Sequence, residues 1–326
     1  MRRVTSIVTG GAGFLGSHLV DALVGRGEAV ICIDNLSTGS LRNVAGAISS
    51  GQTTFVFADV AGPLADLQQT IAELRLDRLD CIYHLASPAS PAAYGAHPLE
   101  TLAVNGPGTL ALIEIALAAR ARFVFASTSE IYGDPLEHPQ PESYFGNVNP
   151  IGPRACYDEG KRFGEAAVAA AVGARGLDGR IVRFFNCYGP RMDRGDGRLI
   201  PALIDAVTES RPFPIHGSGA QTRSLTFVDD AIDLLLRVAD RPQTSLAPVN
   251  IGNDDERSVE EIARVLARIL DRPYVAEHVP ARPEDPQRRR PELTRARTYD
   301  WEPATPLEAG LRATTEWFAR EGLAYA

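Results

Sequence analysis

Apolar residues along this chain gather in short runs separated by longer stretches of helical spacing. Val4–Thr9, Ala29–Ile33, Phe55–Ala58, Cys81–Leu85, Phe123–Ala126 and Ile181–Phe184 read as strands. Helical stretches lie between them, most clearly an amphipathic one ending near Val24 and the long ones Leu99–Ala119 and Ala155–Val172. Strand and helix in alternation predict an α/β protein with a doubly wound parallel sheet. Ligands of such sheets collect beyond the carboxyl ends of the strands, here His84–Ser87, Ser127–Glu130 and Asn186–Arg191. Proline and glycine are dense from Pro135 to Pro153, and the charged run Arg282–Arg290, with four prolines from Pro280 to Pro291, reads as a loop on the substrate side.

The first strand runs straight into Gly10-Gly11-Ala12-Gly13-Phe14-Leu15-Gly16 and a helix. Gly10 and Gly13 permit backbone shapes barred to other residues and let a pyrophosphate approach the chain. Gly16 lets the helix lie close, and the helix N-terminus faces the phosphates. The second strand ends in Asp34, twenty-four residues after Gly10, an acid that suits a ribose diol and repels a 2′-phosphate. The order of strand, turn, helix, strand and acid predicts a Rossmann-type NAD site. A chain of 326 residues has room for that domain and a smaller C-terminal α/β substrate-binding lobe. The expected division is 1–185, with about 222–250 returning to it, against 186–221 and 251–326.

A net charge of −8 and pI near 5.4 argue against a partner among nucleic acids or anionic membranes. No run of eighteen apolar residues and no leader pattern is seen, since Met1–Arg3 passes directly into the first strand, so a cytoplasmic protein is expected. Cys32, Cys81, Cys156 and Cys187 are scattered and suggest no disulfide framework. The six histidines lack ligand spacing, and no metal is expected. Alanine-rich faces such as Ala166, Ala167, Ala169, Ala170 and Ala171 would let another helix approach, predicting a homodimer through the two long helices.

Tyr157 and Lys161 lie one helical turn apart on one face. A free tyrosine titrates near pH ~10, and a neighbouring ammonium lowers that value toward neutrality, which makes the pair an acid/base device for a hydroxyl proton. Thr128, at the end of the fifth strand, is placed to hold the same substrate oxygen, whereas Ser127 reads as a local cap.

Several segments together resemble the UDP-glucuronate decarboxylase, or UDP-xylose synthase, family of extended short-chain dehydrogenase/reductases. They are Thr9–Gly16, His84–Pro91, Ser127–Pro135, Gly146–Arg162, Arg183–Met192, Gly219–Ser224 and Pro283–Pro291. The block around Tyr157 is the most specific of these. The resemblance implies oxidation at carbon 4 of UDP-glucuronate by NAD, loss of carbon dioxide from the resulting β-keto acid, and return of the hydride to give a UDP-pentose. It implies Tyr157 as base and later acid, Lys161 as its tuner, Thr128 as orienting hydroxyl, and Glu130 and Arg223 near the carboxylate and the reprotonated carbon. For the cofactor it implies Gly10, Gly13, Phe14, Leu15, Gly16, Asp34, Asn35, Asp59, Val60, Leu85, Ala86 and Ser87, with Tyr157 and Lys161. For the nucleotide sugar it implies Pro88, Tyr94, Asn186, Arg191, Arg198, Leu199, Gln221, Arg223 and Arg289. Arg289 is the choice for a diphosphate contact among Arg288, Arg289 and Arg290.

The chain departs from the family at Glu292 and Phe145, where aspartate and tryptophan are usual, and around Arg297–Trp301, which looks shortened. Ser129 stands where a 4,6-dehydratase needs an acid, which disfavours dehydration. A 4-epimerase, with no use for the carboxylate of Glu130, is the rival enzyme, along with the same chemistry stopping at a UDP-4-keto-pentose with NADH release. A sensor that binds both ligands without turnover should have lost Thr128, Tyr157 or Lys161, and all three are present.

Overall fold

The computed structural model describes residues 4–242, 246–281 and 286–323, so positions 282–285 of the charged loop lie outside the described residues. Its frame is a seven-stranded sheet built from β1 (Thr5–Thr9), β2 (Ala29–Asp34), β3 (Thr53–Phe57), β4 (Cys81–His84), β5 (Arg122–Thr128), β6 (Gly179–Phe184) and the strand Val249–Ile251. All neighbours are parallel, in the order Val249–Ile251, β6, β5, β4, β1, β2, β3. The strand order reverses between β1 and β4, the switch point at which dinucleotides bind in such sheets.

Side chains of successive residues leave a strand on opposite faces, and each face here has its own core. Val8, Cys32, Tyr83, Val124 and Val182 pack on one face, and Ile7, Ile31, Ile82, Phe123 and Ile181 on the other. This two-sided burial explains why the strands appear in the sequence as nearly continuous apolar runs. β5 extends two residues past the predicted Ala126, and Thr128 becomes its last residue.

The predicted helix Leu99–Ala119 is a run from Pro98 to Ala119 interrupted by a π-turn at Val104–Gly108. Pro107 cannot donate a backbone hydrogen bond there, and a Cβ on Gly108 would stand 2.9 Å from the Val60 carbonyl. This run is long and apolar enough to cross a membrane, but 56% of its most apolar window is buried inside the protein, as in the core helix of a globular domain. The second long helix, Ala155–Arg175, packs against it and against β5.

Beyond β6 the chain builds three small ladders. Cys187–Tyr188 pairs with Thr226–Phe227, Thr222–Ser224 with Glu256–Ser258, and Phe213–His216 with Ala276–Val279. Helix Val228–Asp240 packs on the first, and helices Leu199–Thr208 and Val259–Ile269 on the ladder of Phe213–His216, the last helix opened by a capping box between Ser258 and Glu261.

Candidate active site

Local geometry at the glycine turn is set by close approach. Gly10 adopts φ +70°, and a Cβ on it would lie 2.7 Å from the backbone of Ala86; one on Gly16 would lie 2.0 Å from the Gly10 carbonyl. Only hydrogen fits at either position. Gly13 caps the helix Phe14–Gly25 without a side-chain hydrogen bond, which leaves its first amides for an anion. At the end of β2 the Asp34 carboxylate accepts from Ala12 N (3.0 Å) and Leu36 N (2.7 Å). Burial raises its pKa against those two bonds. A side-chain-free cradle, open amides and a fixed acid beside the turn suit a dinucleotide.

The other expected cofactor residues surround this turn. Asn35 and Asp59 each accept a backbone N–H two residues on, from Ser37 (3.1 Å) and Ala61 (2.9 Å), and so shape their loops. Val60 is buried against the π-turn. Leu85, Ala86 and Ser87 continue from β4, and Ser87 Oγ accepts from Asn105 Nδ2 at 2.9 Å. Asn105, supplied by the π-turn, was not anticipated; the proline-glycine pair just after it was the available signal.

A cleft opens between the carboxyl ends of the strands and the smaller lobe, lined by residues of both, among them Phe14, Thr128, Tyr157, Arg198 and Gln221. Thr128 and Tyr157 meet on its wall, with the Thr128 hydroxyl placed to lower the pKa of the phenol. Tyr157 and Lys161 are 6% and 3% exposed. Lys161 Nζ donates to the Ala126 carbonyl at 2.8 Å and lies 5.1 Å from the Phe125 ring and 5.8 Å from the Tyr157 ring. Burial lowers the Lys161 pKa to about 7, opposed by the charge of Glu165. Burial also raises the Tyr157 pKa, opposed by the bond from Thr128. The expected lowering of Tyr157 by Lys161 is therefore absent from the protein alone, because desolvation acts on both groups and outweighs their attraction.

Glu130 follows Thr128 in the 3₁₀ turn Ser129–Tyr132, where Thr128 Oγ1 accepts from Glu130 N at 3.2 Å. Two arginines hold its carboxylate. Arg154 bonds one oxygen, and Arg289 forms a forked pair whose second contact, Nη2 to Oε2, is 3.0 Å. Burial alone would raise the pKa of Glu130, but the charges of Arg289 and Arg154 outweigh it and hold the carboxyl well below its usual range. Asp158, buried beside Tyr157, shifts the other way, raised by burial and by the charge of Glu130. Its Oδ1 has no hydrogen-bond partner.

Arg289, expected at the diphosphate, has its guanidinium on Glu130. Arg223 also lines the cleft, but Nη1 donates to the carbonyls of Thr222 (2.7 Å) and Pro286 (2.9 Å), which ties it to the base of the Arg289 segment. Asn186, Arg198, Leu199 and Gln221 line the cleft as expected. Asn186 offers a buried side-chain oxygen with no partner, and Arg198 lies 5.6 Å over the ring of Phe14, between the cofactor turn and the cleft.

Pro88, Tyr94 and Arg191 do not line it. Tyr94 lies behind, its ring stacked on Tyr157 at 5.2 Å and 9°, and Arg191 turns away to bond Asp21 at 2.6 Å. Arg154 was not singled out, although a cation at the first turn of a helix opposes the helix dipole and so signals a buried acid nearby.

The family model described as NAD dependent epimerase/dehydratase matches residues 6–252, and the chain belongs to that family. Within it, the chain is 42% identical to UDP-glucuronic acid decarboxylase 1 of Arabidopsis thaliana over 311 residues, 95% of this chain and 68% of that protein. It is likewise 42% identical to UDP-glucuronic acid decarboxylase 1 of Danio rerio over 316 residues, 97% of this chain and 72% of that one. Its branch is thus that of the UDP-glucuronic acid decarboxylases. Among solved structures, UDP-glucuronic acid 4-epimerase from Bacillus cereus, in complex with UDP-glucuronic acid and NAD, superposes with a TM-score of 0.84 at 25% identity, covering 98% of this chain and all of that one.

Proposed function

We propose that this protein is a UDP-glucuronate decarboxylase that uses NAD to make UDP-xylose through a UDP-4-keto-hexuronate. The carrying observation is the acid with its two arginines, Glu130 with Arg154 and Arg289, set beside the Thr128 and Tyr157 hydroxyls. A 4-epimerase of a neutral sugar needs only the hydroxyl chemistry and one of UDP-glucuronate must keep the carboxylate in place, whereas a decarboxylase must release it and supply a proton to the carbon it leaves.

Bound NAD would take the carbon 4 hydride and later return it. Gly10, Gly13 and Gly16 cradle its diphosphate, and Asp34 takes the ribose diol. Tyr157 accepts the proton of the carbon 4 hydroxyl while Thr128 holds the oxygen. Lys161 stabilises the phenolate that results. Lys161 would be joined, with NAD bound, by the positive charge of the oxidised cofactor in lowering the Tyr157 pKa.

Once carbon 4 is a ketone, the bond from carbon 5 to the carboxylate breaks, and its electron pair enters an enolate instead of an isolated carbanion. Arg289 meets the sugar carboxylate and orients it for departure. Glu130, released from Arg289 by that exchange, takes up a proton from solvent and passes it to carbon 5, and Tyr157 returns its proton to the carbon 4 oxygen. Arg198, Asn186 and Gln221 hold the nucleotide end, and Arg223 braces the Arg289 segment. The NAD-binding part is 1–185 with about 222–250, and the remainder forms the substrate lobe.

A homodimer through the long helices and a cytoplasmic location complete this reading. Supporting the dimer, Phe163, Ala166 and Ala170 stay exposed along one helical face, and Leu99, Leu102 and Leu110 stay exposed on the neighbouring run. Sedimentation at micromolar concentration is expected to give twice the chain mass, and a monomer would remove that part. NMR of the UDP-glucuronate reaction in heavy water tests the chemistry. The expected outcome is UDP-xylose with deuterium at carbon 5; an epimerised hexuronate, or no carbon dioxide with both ligands bound, would overturn it.

A further inference from the structure

Arg289 stands on a segment without regular secondary structure, yet it is 5% exposed and meets Glu130 in a forked pair. Its position is fixed from two edges. On one edge Thr222 N donates to the Gln287 carbonyl (2.9 Å) and Ser224 N to that of Arg289 (3.1 Å). On the other, a single residue makes three bonds. Gln140 N donates to the Arg290 carbonyl (2.8 Å), its side-chain Oε1 accepts from Arg290 N (2.9 Å), and its carbonyl accepts from Glu292 N (2.9 Å).

Gln140 is fully buried and is itself held. Its Nε2 donates to the Glu137 carbonyl at 2.9 Å, and Asn250 Nδ2 donates to the Gln140 carbonyl at 3.0 Å and the Glu292 carbonyl at 3.3 Å. Asn250 Oδ1 in turn accepts from Tyr132 OH at 2.8 Å, and Tyr132 closes the same short turn that carries Glu130. The path from Glu130 through Tyr132, Asn250 and Gln140 to Arg289 thus returns to Glu130. One buried network sets both partners of the pair.

We infer that Gln140 is a positioning residue that holds the Arg289 segment in register and thereby sets the preference for a carboxylate-bearing sugar over a neutral one. This inference rests on the reading that Arg289 meets the sugar carboxylate. Losing the Arg290 bond lets the segment shift without removing the guanidinium, so binding of the carboxylate weakens while the nucleotide end is untouched.

The test is calorimetric binding of UDP, UDP-glucose and UDP-glucuronate to the NAD-loaded protein, with every variant built on Tyr157→Phe so that UDP-glucuronate binds without turnover. Gln140→Met keeps the chain length but loses the acceptor. It should cut the preference for UDP-glucuronate over UDP-glucose about fivefold, as for loss of one buried hydrogen bond, and leave UDP affinity within about twofold. Arg289→Ala should cut it by about tenfold or more, as for a charge-assisted contact, and the double variant should lose little further.

An unchanged preference in Gln140→Met, equal loss for all three ligands, or additive effects in the double variant would overturn the role of Gln140. An unchanged preference in Arg289→Ala would overturn the reading of Arg289 and the inference with it. Should Gln140→Met not fold, Gln140→Ser, which leaves room for a water in place of the amide, carries the same comparison.

Discussion

Replacing Lys161 by methionine should abolish turnover and make the cofactor-free protein more stable. The ammonium is buried at 3% exposure, and its pKa falls from the ordinary 10.5 to about 7 because folding strips it of water. At about 1.36 kcal/mol per pH unit, that fall corresponds to a cost of order 5 kcal/mol for folding around the charge. The cost is complete below pH 7, where folded and unfolded chains both hold the proton. Between pH 7 and 10.5 only the unfolded chain holds it, so parent stability rises with pH, and above 10.5 the cost is gone.

Methionine avoids this cost but forfeits the 2.8 Å bond to the Ala126 carbonyl, an offset of about 1 kcal/mol. The net gain at pH 6 should be about 3 to 4 kcal/mol. With an unfolding entropy of about 2.1 cal/mol/K per residue over the whole chain, that is about 5 °C in Tm. Thermal melts of both proteins at pH 6, 8 and 9, without nucleotide, measure it. The gain should shrink steadily above pH 7. No gain at pH 6, or a gain equal at pH 6 and 9, would refute the idea that this lysine is kept at the expense of the fold.

Tyr157→Phe should bind NAD and UDP-glucuronate but form no NADH on mixing, a loss of at least about a thousandfold in the oxidation step; substantial absorbance at 340 nm would remove Tyr157 as the base. Arg289→Ala should slow carbon dioxide release far more than Arg223→Ala, by about a hundredfold against about tenfold, as expected when one arginine meets the reacting group and the other braces it. The reverse ranking in a carbon dioxide release assay would restore Arg223 to the carboxylate.

Much of this arrangement was legible because it is local. The spacing of Tyr157 and Lys161 needs only a helix, and the glycine turn with Asp34 needs only one strand-helix-strand unit. Period and punctuation reveal both. The hold of Arg289 on Glu130 was not legible because it is a contact across 159 residues. Three consecutive arginines look alike until Gln140 and Thr222 fix which one turns inward. Arg154 and Asp158 were passed over for a related reason, since their meaning comes from burial beside Glu130. The pKa of Tyr157 was misjudged because spacing on a helix reports proximity and says nothing of desolvation. Pro88, Tyr94 and Arg191 flank motifs that do line the cleft, and neighbours in sequence on a loop or helix can face opposite ways.

The Glu130–Arg289 pair joins the end of β5 to a segment near the end of the described chain. During synthesis Glu130 leaves the ribosome long before its forked partner, and Arg154, which precedes the rest of the sheet, is the first cation to reach it. The NAD-binding half can therefore acquire its shape with the acid only half neutralised. The acid gains its forked partner only when the segment of Arg289 has folded back onto the end of β5, a segment made after all seven strands of the sheet.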